Sequence, residues 1–338
     1  MIHKTSIIIT TITHPTKAIL KINKLIKKKE SHAYNIVIVA DLKSPIKNKF
    51  KFAEYLSIAA QKKIFSKLFS ILPFNNYARK NLGYLHAIKN GSKVIIDTDD
   101  DNFPYKNFLS TPNFNLNTKY LTANNKWINI YQLFSKNKIW PRGFPLEKIN
   151  LNSNIKISKI NKNIFAPIHQ SLADEDPDVD AIYRLISNKK IFFKKNKNYC
   201  LDVGYYCPFN SQNTTWHHKS FRLLYLPSTC SFRMTDIWRG LIAQRIMHVN
   251  KWHLLFKSPT VYQIRNKHNL LNDFKQEIEG YTRYEEFINI LEKVKLKKGE
   301  KFINSNLILL YKILIKNNFF KKKEMLILQN WLGYFEKN

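Results

Sequence analysis

Four carboxylates fall within five residues at Asp97-Thr98-Asp99-Asp100-Asp101, directly after the apolar run Val94-Ile95-Ile96. Such crowding is electrostatically costly without a cation, and hard divalent ions favour carboxylate oxygens. Mg²⁺ keeps coordination positions for phosphate oxygens, so an acidic strand end suits a metal that bridges protein to a diphosphate. A solvated acidic turn in which Asp99 or Asp101 caps a helix accounts for the same residues.

A second acidic stretch, Ala173-Asp174-Glu175-Asp176-Pro177-Asp178-Val179-Asp180, is not a calcium loop. Pro177 stiffens it, no glycine occupies the sixth position from Asp174 or Asp176, and Leu185 and Ser187 stand where a bidentate glutamate is needed. An acceptor-site role for Asp178 and Asp180, or a cap on a helix over Ala181–Ile186, fits better. Cys200, Cys207, His217 and His218 have no zinc-ligand spacing, and neither a phosphate-binding P-loop nor a dinucleotide-binding glycine pattern occurs.

The elements that must carry these groups alternate. Residues 6–12 are a β-branched run ending at His14-Pro15, residues 17–29 place Ile19, Leu20, Ile22, Leu25 and Ile26 near helical spacing, and residues 34–40 form a second apolar run that stops at Asp41. A helix over 76–90, closed by Gly91, precedes the strand that ends in the acidic cluster. This order predicts an α/β class, with a mostly parallel, Rossmann-like sheet flanked by helices and a ligand site beyond the strand C-terminal ends. Residues 105–170 show little periodicity and read as long ordered loops over the site. Helical patterns over 284–338 predict a helical C-terminal region, so the chain divides into a catalytic domain at 1–250 and helices packed on it at 251–338.

The 338 residues can bury a sizeable core, and 44% hydrophobic residues with 8 glycines exclude whole-chain disorder. Three cysteines make no disulfide framework, and no apolar run is long enough to span a membrane, so a cytoplasmic protein with no transmembrane segment is expected; a homo-oligomer is compatible. The charge of +32 is spread evenly, with +8 on residues 251–338 and +24 on residues 1–250. No basic domain stands out, and no specific nucleic-acid partner is expected, though acidic substrates such as sugar nucleotides are attracted.

Asn81, Gly83, Ala87 and Gly91, followed by the strand and Asp99-Asp100-Asp101, resemble the helix–strand–DxD signature of GT-A glycosyltransferases. Trp140-Pro141-Arg142-Gly143-Phe144-Pro145-Leu146-Glu147, the stretch from Asp174 to Leu185, and Thr235-Asp236-Ile237-Trp238-Arg239-Gly240 with Ala243-Gln244-Arg245 resemble the STELLO family, a relative of the reversibly glycosylated polypeptides of plants. The resemblance implies a GT-A-like fold and a glycosyltransferase that uses a nucleoside-diphosphate sugar, UDP- or GDP-linked, with a divalent cation, Mn²⁺ or Mg²⁺, and an acceptor the sequence does not name. It also admits a sugar-nucleotide mutase, a self-glycosylating protein, or a non-catalytic scaffold.

By that resemblance Asp99 and Asp101 hold the metal, while Thr11, Thr13, Asp41, Arg79, Asn81, Asp99 and Asp100 contact the nucleotide sugar; Asp41 equally fits a turn residue before Lys43-Ser44-Pro45, and Arg79 an exposed helix charge. Arg142 matches the segment that carries the sugar-modified arginine of the reversibly glycosylated relatives; it also fits a phosphate clamp or a loop arginine stacked on Trp140 or Phe144. Asp236, early in a helix that Thr235 can cap, is by the same resemblance the expected catalytic base; a first-turn carboxylate stabilised by the helix dipole is the structural alternative. Trp238 and Arg239 are expected on the acceptor side, and both equally fit packing of that helix on the sheet.

Overall fold

The protein is described from a computed structural model over residues 4–29, 33–45, 49–150, 154–159, 163–187, 189–266 and 269–336. Strand β1 (Thr5–Thr10) leads through helix α1 (Lys17–Lys28) to β2 (Tyr34–Val39) and the short β3 (Glu54–Leu56). Helices α2 (Ile58–Ile64) and α3 (Ser66–Ile71) follow, then a 3₁₀ turn at Tyr77–Arg79, α4 (Lys80–Lys89) and β4 (Val94–Thr98). All three pairings within β3-β2-β1-β4 are parallel. The four strands thus point their C-terminal ends the same way, as the alternation of strands with helices requires.

The β-branched runs of β1 and β2 are buried on both faces. Ile8, Val37, Val39 and Ile95 join the large core under α4, while Ile7, Ile9, Ile36, Ile38 and Ile96 pack with Ile19 and Ile22 of α1. This is the two-residue period of a strand read from its two sides. Gly83 lets α4 approach closely: a Cβ there would stand 2.4 Å from Val39 Cγ2 and 2.8 Å from Ile8 Cγ2.

The rest of the sheet is mixed. After β5 (Asn102–Pro104), β6 (Asn115–Leu116) and β7 (Lys119–Thr122), the one-turn helix α5 (Tyr131–Phe134) leads to β8 (Lys156–Lys159), β9 (Ile164–Phe165) and β10 (Ile168–Glu175). Helix α6 (Ala181–Ile186), β11 (Asn198–Leu201), β12 (Asn213–His217), α7 (Thr235–Val249) and β13 (Leu254–Gln263) come next. The strand order is β3-β2-β1-β4-β12-β10-β13-β11-β7-β8, with β5 paired on β13 and a separate β6-β9 pair. Helices α8 (Leu270–Lys293), α9 (Ile303–Lys316) and α10 (Lys323–Leu332) complete the helical C-terminal region. Strand β13 lies inside the sheet, so a division at residue 250 does not separate sheet from helices. Among the described residues no helix is long and apolar enough to cross a membrane.

Two expectations are corrected. The described residues of 105–170 do not form a cover over the site: Trp127, Ile128, Tyr131, Phe134, Trp140 and Phe144 are buried in the main core, because an aromatic-rich segment loses more by staying in water than by packing. Thr235 is not a cap; the helix already includes it, its hydroxyl bonds the Ser231 carbonyl, and Met234 occupies the cap position without a side-chain bond.

Candidate functional site

The C-terminal ends of β1, β2 and β4 open into a cleft of about 610 Å³, a size suited to a small-molecule ligand. It is lined by Thr11, Thr13, Asp41, Arg79, Asp99, Asp100 and Asp101 on the β1–β4 side and by Arg142, Asp178 and Asp236 on the other. Ten of the expected site residues are therefore brought to one cavity. Of the aromatic-rich stretch over 105–170, Arg142 alone reaches it among the described residues.

The three aspartates after β4 are fixed differently. Asp100 Oδ2 accepts from the Thr11 hydroxyl at 2.6 Å, and its carbonyl accepts from the Thr16 hydroxyl, which also caps α1. Asp100 thus anchors the β1–α1 loop. Asp99 Oδ1 accepts from Tyr77 Oη at 2.8 Å, with Lys80 Nζ at 3.4 Å, and Asp101 Oδ1 accepts from Gln263 Nε2 at 2.9 Å. Burial pushes the Asp99 carboxyl up to about 6, against the pull of Lys80, and burial raises Asp100 and Asp101 too.

Desolvated carboxylates crowded at a cleft carry a charge repulsion that a cation would relieve. Among the described residues no three His, Cys, Asp or Glu side chains already converge as a metal cage. Asp99 and Asp101, which both line the cleft, are the carboxylates that would hold a hard ion there.

Asp41 accepts from the backbone N–H of Leu42 at 2.7 Å and of Asn76 at 3.2 Å, so it ties the β2 end to the turn before α4. Arg79 is buried, bonds Gln61 Oε1, and lies over the Phe74 ring at 4.4 Å; burial lowers its pKa although Asp41 opposes this. It lines the cleft with its cationic head already engaged.

Opposite, Arg142 forms a fork with Asp178: Nε to Oδ1 is 2.8 Å and Nη2 to Oδ2 is 2.7 Å. Its Nη2 also lies 3.0 Å from Asp236 Oδ2, and Nη1 donates to the Arg233 carbonyl. Burial opposes the charge on Arg142, but Asp178 and Asp236 outweigh it and hold the pKa well above the ordinary arginine value. Burial likewise opposes ionisation of Asp178, and Arg142 overrides it, so its carboxyl sits below the usual range. Asp236 Oδ2 takes a second bond from the Ser211 N–H at 3.0 Å. Its Oδ1 has no protein hydrogen-bond partner among the described residues.

Four expected residues lie elsewhere. Asn81 is buried and clamps Leu226, donating to its carbonyl at 2.8 Å and accepting from its N–H at 2.9 Å. Asp180 caps α6 through Tyr183 N and accepts from Trp140 Nε1 at 2.5 Å, so the capping reading describes it. Trp238 stacks on Phe287, centroids 4.2 Å apart, and fastens α7 to α8. Arg239 pairs with Asp97 at 3.0 Å and is 1% exposed. Both α7 residues face inward, which replaces their expected acceptor-side role with packing.

Reading the sequence missed Lys43, Asn75, Asn76, Tyr77, Gln212, Phe232, Arg233, Gln263, Arg265 and Asn266, which also line the cleft. Asn75-Asn76-Tyr77 before a helix was an available signal, since asparagine favours turns and caps. Gln212, just before β12, donates from Nε2 to Oε1 of Gln263 at the end of β13 at 2.8 Å, a pairing no local pattern announces.

Residues 233–337, which begin beside Asp236, match the family model described as STELLO glycosyltransferases. Over that segment the chain is similar to the STELLO glycosyltransferases. The chain is 27% identical over 281 residues to "Probable glycosyltransferase STELLO2" of Arabidopsis thaliana, covering 76% of this chain and 35% of that protein. It is 25% identical over 278 residues to "Probable glycosyltransferase STELLO1" of the same plant, with the same coverages. It therefore spans about a third of the length of these curated relatives. Among solved structures, glucosyl-3-phosphoglycerate synthase from Mycobacterium tuberculosis in complex with Mn²⁺, UDP-glucose and phosphoglyceric acid superposes with a TM-score of 0.44 at 7% identity. That alignment covers 83% of this chain and 79% of the synthase.

Proposed function

We propose that this chain binds a nucleoside-diphosphate sugar, UDP- or GDP-linked, in the cleft and transfers the sugar to an acceptor hydroxyl. The observation that carries this reading is the placement of Asp99 and Asp101 on one wall and Asp236, with an open Oδ1, on the other. The ends of β1 and β2, with Thr11, Thr13 and Asp41, offer hydroxyl and carboxylate groups to a nucleoside at a parallel-sheet edge. A divalent cation, Mn²⁺ or Mg²⁺, held by Asp99 and Asp101 would neutralise charge on the leaving diphosphate.

Asp236 takes the acceptor proton on Oδ1 while Arg142 and the Ser211 N–H hold Oδ2, which orients the carboxylate without consuming its reactive oxygen. Asp178, held at both oxygens by Arg142, is a counter-charge that keeps the arginine in place. The commitment of Nε, Nη1 and Nη2 to protein acceptors argues against a sugar on Arg142 and against a phosphate clamp.

The test is a thermal-shift screen of nucleoside diphosphates and their sugars with Mn²⁺, Mg²⁺ or EDTA, followed by product analysis with and without acceptor. A ligand at 100 times its dissociation constant stabilises by about 2.7 kcal/mol. A cation-dependent shift with one sugar nucleotide supports the reading; no shift with any of them, with or without metal, sinks it. Ring-isomerised sugar nucleotide formed without acceptor would move the assignment to a mutase.

A further inference from the structure

Lys80 is fully buried at the first turn of α4 and does not line the cleft. Its Nζ lies 2.7 Å from Asp97 Oδ1, 2.8 Å from the Thr98 carbonyl, 3.1 Å from Tyr77 Oη and 3.4 Å from Asp99 Oδ1. One ammonium thus grips three consecutive residues at the exit of β4. On the other oxygen of Asp97 stands Arg239 of α7, at 3.0 Å. Arg239 Nε and Nη2 have no hydrogen-bond partner among the described residues, and its head lies 4.9 Å over the Trp216 ring.

Three charges removed from water cost several kcal/mol each, and well-packed apolar side chains of similar volume commonly do as well for stability. An arginine with two unmet donors makes the stability account weaker still. What the triplet does provide is position. Tyr77 and Lys80 both engage Oδ1 of Asp99, a residue that lines the cleft, and leave its Oδ2 with no protein partner among the described residues. Arg239 follows Asp236 by three residues on α7, and Asp97, on β4, precedes Asp99, just past the strand's end, by two. The Arg239–Asp97 bond therefore ties the helix of the acceptor-side carboxylate to the strand of the donor-side one.

We propose that Lys80 is a positioning residue for Asp99, and that the buried Lys80–Asp97–Arg239 triplet holds the two walls of the cleft in register. The proposal rests on the reading of Asp99 as a cation ligand. Outer groups that orient metal ligands typically cost about 10–100-fold in metal affinity when removed.

The experiment compares wild type, Lys80→Met, Asp97→Asn and Asp99→Asn by titrating UDP and GDP in Mn²⁺ and in EDTA, well below each variant's thermal midpoint. The expected result is a loss of about tenfold or more in Mn²⁺-dependent affinity for Lys80→Met and Asp97→Asn, with affinity in EDTA unchanged. A lowered midpoint with the Mn²⁺-dependent gain intact would overturn the positioning role and leave a structural one. If Lys80→Met does not fold, Asp97→Asn, which keeps the shape, decides alone. Loss of the gain in Asp99→Asn but not in the other two defeats this inference only; retention of the gain in Asp99→Asn defeats the reading beneath it.

Discussion

Nη2 of Arg142 lies 3.0 Å from Oδ2 of Asp236, a residue that lines the cleft, and Oδ1 of that aspartate has no protein hydrogen-bond partner among the described residues. Asp236→Asn keeps the shape, and its amide oxygen can still accept from Arg142 and the Ser211 N–H, but basicity is gone. Turnover should fall by about 10²–10⁴-fold with nucleotide affinity nearly unchanged. Turnover within a few-fold of wild type, with acceptor saturating, would reduce Asp236 to an orienting residue at the start of α7.

Arg142 is a clamp in this account, so its removal leaves two carboxylates without their cation. Arg142→Met should cost about 3–5 kcal/mol in urea unfolding, the range for breaking a buried ion pair by losing one partner. Arg142→Lys keeps the charge but not the fork, and its cost should be smaller. Intact-mass measurement of the wild type after incubation with sugar nucleotides should show no adduct; an adduct absent from Arg142→Lys would show that the guanidinium leaves its partners and is modified.

Close approach of α4 to the sheet depends on the missing side chain at Gly83, since a Cβ there would stand 2.4 Å from Val39 Cγ2. Gly83→Ala should destabilise by about 1–3 kcal/mol, the range for overpacking a core, despite the better helix propensity of alanine. A stability equal to or above wild type would show that the helix can shift at no cost.

His169 is buried against the Phe114 ring, centroids 4.7 Å apart, and burial, aided by Lys257, holds its imidazole down to about 3. Between that value and the ordinary 6.5 the unfolded chain binds a proton that the folded protein does not. The contribution of a neutral His169 is therefore fully present above pH 6.5 and is lost as pH falls, at about 1.4 kcal/mol per pH unit within the window. His169→Phe removes this term. Unfolding at pH 4, 5, 6 and 7 should show the variant gaining on wild type as pH falls; a pH-independent difference would mean that His169 is protonated in the folded state.

Much of the cleft was legible because it is locally encoded. Apolar β-branched runs that stop at Thr11, Asp41 and Asp97 announce strands, and the polar residues just past them are the ones that line the cavity. Asp236 was legible for a similar reason, lying in the first turn of a strongly helical segment. Charges with distant partners were not. Arg239 and Asp97 are 142 positions apart, and an arginine in a helix reads as exposed until its carboxylate is found. Lys80 hides in the same way among a lysine-rich composition. Strand β13 took its place in the sheet through pairing with β10 and β11, which periodicity cannot see, and the aromatic stretch from Trp127 to Phe144 looked like loop because its burial has no regular period.

The central claim is that the acidic end of β4 binds a nucleoside diphosphate through a divalent cation. Calorimetric titration of UDP and GDP into the wild type and into Asp99→Asn/Asp101→Asn, each in Mn²⁺ and in EDTA, tests it most directly. The account predicts that one nucleotide binds the wild type in Mn²⁺ and loses that affinity in EDTA, and that the double substitution binds it no better in Mn²⁺ than in EDTA while remaining folded. Equal Mn²⁺-dependent affinity in the two proteins would contradict it.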